Sequence, residues 1–153
     1  MPNLRWQPIA TTLLCLIGLG VATYLTIVHY DTHVSLACPK TQTFNCETVT
    51  TSAQSHIFGI PVAVLGLLFF VPMLLLCLPA AWHSADRRIH IARLVLASAG
   101  VAMIIYLIIA ELFLIHAICL WCTSVHLITF IIFVIVATAS PIVLAPDDGV
   151  VPA

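Results

Sequence analysis

Charge is scarce in this sequence. Five Lys and Arg and six Asp and Glu amount to 7% of its 153 residues, where a water-soluble domain carries roughly a quarter. Between Leu94 and Pro141 the only charged side chain is Glu111, with histidines counted neutral. So little charge, beside 62% hydrophobic residues and a mean hydropathy of +1.17, excludes water as the solvent for most of the surface. The chain reads as an integral membrane protein. A net charge of -1 gives no basic patch for nucleic acid and no pull toward an anionic surface. Internal repeats are absent, and polar sequence of any length is confined to residues 29–56.

What is present is apolar runs. Crossing the hydrocarbon core takes about 20 apolar residues, and four stretches are expected to do so: 9–28, 57–81, 94–115 and 118–136. The fold expected is all-α, a four-transmembrane-helix bundle in one domain over 1–153, with a short helix in the outer loop 29–56. The first run is too long for a cleaved signal, and His29 to His33 separates it from the lipoprotein-like Leu36-Ala37-Cys38. Gly18 and Gly20 are expected to admit a neighbouring helix at close range. Pro61 falls in the first turn of the second helix, whereas Pro72 is expected to kink it. A polar hinge with His83, Asp86, Arg87, Arg88 and Arg93 leads into the third. Only His116 and Ala117 separate the third run from the fourth, a tight hairpin with Cys119-Leu120-Trp121-Cys122 at its tip. Residues 141–153, with Asp147 and Asp148, read as a disordered tail.

Six cysteines are distributed along this plan. Arg5, Arg87, Arg88 and Arg93 lie before the first helix or between the second and third, which puts those regions in the cytoplasm. Both termini are then cytoplasmic, and Cys38, Cys46, Cys119 and Cys122 face the far side, where disulfides persist. Cys15 and Cys77 fall toward the cytoplasmic halves of their helices, out of reach of the other four. Asn45 is placed to cap a short helix opening at Cys46, which would make that thiol the more reactive of its pair. The same spacing equally suits a structural Cys38–Cys46 staple. Two pairs on one oxidising side suggest a relay by thiol–disulfide exchange, the loop pair water-exposed and mobile, the CxxC pair at the lipid.

The order of these parts resembles the vitamin K epoxide reductase family, particularly its bacterial members. The resemblance rests on Cys38 and Cys46 in the first loop, Ser52, Phe58-Gly59-Ile60-Pro61 at the opening of the second helix, and Cys119-Leu120-Trp121-Cys122 at the opening of the fourth. It extends over roughly 18–133. It implies a helix bundle around a quinone of the menaquinone, ubiquinone or vitamin K type, with its mouth at the CxxC end. Cys46 would take electrons from a thioredoxin-like (DsbA-like) protein acting in trans, and Cys38 would pass them to Cys119. Cys122 would face the quinone, so that disulfides form in exported proteins outside the plasma membrane. Reduction of vitamin K epoxide itself is the alternative within the family. Ser52 and Ser55 correspond to polar positions near the quinone, and His126 to a hydrogen-bonding one. Each also reads as an ordinary structural residue, and Glu111 as a carboxylate reaching the headgroups.

The same residues speak against other classes. A DsbB-type oxidase has its CxxC in the first loop, the reverse of the order here. A soft-metal site on Cys119, Cys122 and His116 leaves Cys38 and Cys46 without a role. A structural subunit with inert disulfides needs no second pair beside the lipid.

Overall fold

The computed structural model describes residues 6–31, 33–34, 36–38, 41 and 43–143. The chain is mostly helical. Helix α1 (Gln7–Tyr30) enters through Pro8 in its first turn and ends at Asp31. It buries Pro8, Thr11, Cys15, Gly18, Ala22 and Leu25, an alternation of threes and fours that keeps one stripe facing its neighbours. In the first loop lie a short helix α2 (Cys46–Thr50) and a 3-10 turn, Ala53–Ser55. Strands β1 (His56–Ile57) and β2 (Ile60–Pro61) form a minimal hairpin. After it come α3 (Val62–Cys77), α4 (Pro79–Trp82) and α5 (Arg87–Ile109), the last continuing as a π-helix over Ala110–Ile115. Helix α6 (Leu120–Val143) is the last element among the described residues.

The long helices pack in the cyclic order α1, α3, α5, α6, with α6 returning to α1. Three are long and apolar enough to cross a membrane: Gln7–Tyr30, Arg87–Ile115 and Leu120–Pro141. The fourth, α3, has 16 residues, about 24 Å at 1.5 Å per residue, which is short of a ~30 Å core.

The sequence places a helix over 57–81, and the structure divides that stretch. Phe58 and Gly59 take positive φ (53° and 81°), the two-residue turn that joins twisted strands, so the helix starts only at Val62. At the other end α3 runs through Pro72. The helix ends at Leu78, extended ahead of Pro79, as a residue preceding proline prefers. The carbonyls this break leaves unpaired find partners. Thr12 Oγ1 donates to Cys77 O (2.8 Å) and Arg93 Nε to Leu76 O (2.7 Å).

Arg93 accordingly sits inside α5 at 2% exposure rather than in a polar hinge. Its guanidinium lies 4.0 Å from the Trp82 ring centroid, and Trp82 Nε1 donates to Thr11 Oγ1 at 3.2 Å. Of the two glycines of α1, only Gly18 meets a neighbour, the Phe70 ring; Gly20 faces open space. Cys15 and Cys77 are fully buried, and their thiols contact each other across α1 and α3. Residues 141–143, read as tail, are the last turn of α6; 144–153, like Arg5 and Lys40, lie outside the described residues.

Candidate active site

Residues at the two loop ends build one thiol cluster. Asn45 caps α2, its side chain accepting from Thr48 N–H at 3.2 Å, so Cys46 opens the helix. Cys38 and Cys46 form a disulfide, with Cα atoms 6.1 Å apart. The pair is not water-exposed: Cys46 is 1% exposed and Cys38 half-buried. The reason is that the loop docks on the turn before α6. Asn45 N–H donates to Ile118 O (3.2 Å) and Ile118 N–H to Thr43 O (2.9 Å), a strand-like bridge between Phe44 and Ile118. Trp121, inside the CxxC motif, donates its indole N–H to Ala37 O at 3.0 Å and packs 5.0 Å from Tyr24 of α1. Cys46, Val49, Ala117 and Cys119 form the buried centre of this cluster, with Cys38 and Cys122 packed against it.

Cys119 stands at the N-cap of α6. The Cys122 backbone N–H donates to Cys119 Sγ at 3.2 Å and the Cys122 thiol donates to the same sulfur at 2.6 Å. Those donors hold the Cys119 thiol below its ordinary pKa, the Cys122 thiol contributing most, against the opposing effects of burial and of Glu111. The amino-terminal end of the helix dipole acts in the same direction. Cys119 is thus the more acidic thiol of the pair, with Cys122 as its donor.

Below the thiols, between the helices, lies a cavity of about 390 Å³. Cys122 reaches its wall, and so do His126, Ser52 and Ser55. The serine hydroxyl protons are committed to the backbone, Ser52 to Val49 O (2.7 Å) and Ser55 to Ser52 O (2.6 Å). Facing the cavity, they act as acceptors. His126 makes no hydrogen bond among the described residues and is buried, which leaves an imidazole N–H free on the wall. Cys122, His126 and Thr129 follow one face of α6 at helical spacing.

Sequence reasoning passed over Thr129, Gln54 and His29, which also line the cavity. Thr129 was reachable by counting from Cys122. Gln54 and His29 carried no signal, because a loop and a helix end bring them there. Among the described residues no three His, Cys, Asp or Glu side chains are gathered as a metal would require.

Comparison with known proteins adds one match. The model of the vitamin K epoxide reductase family matches residues 9–137. No curated protein matches the chain.

Proposed function

The chain belongs to the vitamin K epoxide reductase family, whose members carry out redox chemistry in membranes, and from that premise we propose a quinone-linked thiol oxidase. Electrons enter from a thioredoxin-like protein at Cys46, pass through Cys38 to Cys119 and Cys122, and leave to a quinone. The outcome is disulfide formation in exported proteins. One observation carries the reading: the Cys38–Cys46 disulfide and the Cys119/Cys122 dithiol share one buried cluster, yet only Cys122 opens onto the cavity. A structural staple has no need of a dithiol at its back.

The residues fit a quinone. The cavity falls within the ~300–1,000 Å³ usual for small-molecule sites, and its lining is chiefly apolar, with a free imidazole at one point. A quinone, when bound, accepts two electrons and two protons. The chain supplies the rest. Cys119 is the nucleophile that closes on Cys122 as electrons depart. His126 donates a hydrogen bond toward the developing negative charge, and the apolar wall excludes water. In the next half-cycle the loop pair, reduced by the partner, acts as donor. Cys38 attacks Cys119 of the Cys119–Cys122 disulfide, and Cys122 leaves as thiolate. Cys46 then resolves the Cys38–Cys119 mixed disulfide by re-forming Cys38–Cys46 and freeing Cys119. Because Cys46 is buried when the loop is docked, meeting the partner requires residues 43–45 to lift from Ile118.

We further propose that all four helices cross the membrane, the β1–β2 hairpin and α4 completing the reach of α3. The thiol cluster then faces outward from a bacterial plasma membrane, with the termini inside.

The test is anaerobic mixing of the protein with a reduced thioredoxin-like protein and a short-chain quinone. Quinol is expected with wild type and not with Cys119→Ser. Replacing Cys38 by serine removes the thiol that hands electrons to Cys119. Quinol formation driven by the reduced partner should then fall to background, while the pre-reduced variant still reduces the quinone through Cys119 and Cys122. Full quinol yield from Cys119→Ser would sink the relay.

A further inference from the structure

Glu111 is the one charged residue in the apolar stretch from Leu94 to Pro141, and its surroundings are the reverse of a headgroup anchor. The helix widens into a π-turn at Ala110–Ile115, a feature that recurs at functional sites. There Leu112, Phe113 and Leu114, three consecutive apolar side chains, face outward at 49%, 71% and 59% exposure, while Glu111 faces in at 6%. Its carboxylate accepts the Cys119 backbone N–H and lies on the wall of the same cavity as Cys122 and His126. A carboxylate that turns away from lipid to a cavity marks a functional site in membrane proteins.

We infer that Glu111 is the proton carrier of the CxxC pair, holding the proton that Cys119 gives up and delivering it to the reduced quinone. The inference rests on the quinone reading above. Besides Glu111, the titratable side chains on the cavity wall are His29, Cys122 and His126, from α1 and α6; α3 and residues 49–55 contribute none. Cys119 stands behind the wall. Two negative charges side by side in so apolar a place repel strongly, so the Cys119 thiol and the Glu111 carboxyl share one proton and titrate as a unit. The balance closes. A Cys119 thiolate, a Cys122 thiol and a protonated Glu111 meet the quinone. One S–S bond forms, two electrons leave, the Cys122 proton and the Glu111 proton go to the two ring oxygens, and Glu111 remains as carboxylate. It regains its proton when incoming thiols reduce the pair again.

Glu111→Gln keeps the shape and the acceptor for Cys119 N–H but carries no transferable proton. With no quinone present, thiolate absorbance followed against pH, with Cys119→Ala as the blank, should place the Cys119 midpoint lower in Glu111→Gln than in wild type. More thiolate alone would speed reduction of the quinone. A missing proton carrier instead slows it, by about 10²-fold or more, with quinone binding (quenching of tryptophan fluorescence) unchanged. Formate should restore part of the rate to Glu111→Ala, which also serves if the glutamine variant does not fold; Cys38–Cys46 disulfide formation reports folding in both.

An unmoved Cys119 midpoint overturns the shared proton whatever the quinone does. A wild-type quinol rate in Glu111→Gln, or slowing through lost binding, overturns the carrier role. Absence of quinol from pre-reduced wild type instead overturns the quinone reading and this inference with it.

Discussion

At the scale of single residues, the site depends on which sulfur carries charge and which ring offers a proton. Cys119 receives two donors from Cys122 and is the nucleophile of the relay proposed above, although it is the cysteine farther from the cavity. His126 has no protein partner among the described residues, which distinguishes it from Ser52 and Ser55, whose hydroxyl protons are committed. His126→Leu is therefore expected to slow quinol formation by the pre-reduced protein by about 10²-fold or more, the cost of losing one preorganised donor where it dominates. Thiol exchange between Cys46 and a thioredoxin-like partner should continue, since that step lies outside the cavity. Stopped-flow quinol formation beside gel detection of the partner's redox state separates the two. Unchanged quinone kinetics in a folded variant would reduce His126 to a packing residue.

At the scale of elements, the bundle is set by small residues and by where helices stop. A Cβ at Gly18 collides with the Phe70 ring, and nothing lies near Gly20. Gly18→Ala should thus destabilise the α1–α3 contact by about 1–3 kcal/mol, as overpacking does. Gly20→Ala should be neutral or gain up to about 1 kcal/mol from helix entropy. Thermal unfolding in detergent with the two variants side by side checks this; equal Tm shifts would contradict the packing. Helix ends matter as much. The break at Leu78 leaves carbonyls that Thr12 and Arg93 satisfy, which is why a buried arginine is tolerated without a carboxylate among the described residues. The turn after α5 closes at His116 in the left-handed region, and so delivers Ala117 and Ile118 as an edge on which the first loop can dock.

At the scale of the whole molecule, two loops far apart in sequence meet at one end of the bundle, while Cys15 and Cys77 meet toward the other. The arginines at 87, 88 and 93 lie at the end where α5 begins, remote from the thiol cluster. Membrane-impermeant thiol reagents, applied to intact cells after mild reduction, are expected to label Cys38 from outside and not from the cytoplasmic side of inverted vesicles. Cys46 should label only when the docked loop opens, more slowly than Cys38. Labelling of Cys38 from the cytoplasmic side would reverse the orientation proposed here.

The sequence by itself determined a helical membrane protein, the family resemblance, a helix opening at Cys46 behind Asn45, and the face shared by Cys122 and His126. These are local matters: hydropathy, capping and the 3.6-residue period act within a few turns. Only the tertiary structure decided that Cys46 is buried, that Trp121 pins the loop, that Arg93 lies inside the bundle, and that Cys15 touches Cys77. It also decided that the second apolar run opens as a hairpin, where positive φ at Phe58 and Gly59 overrode an apolar pattern that reads as helix. Glu111 shows the division most plainly. Its charge is visible in the sequence, but whether it faces lipid headgroups or the cavity depends on one π-turn, and a single added residue per turn rotates a side chain without leaving a mark in composition or spacing.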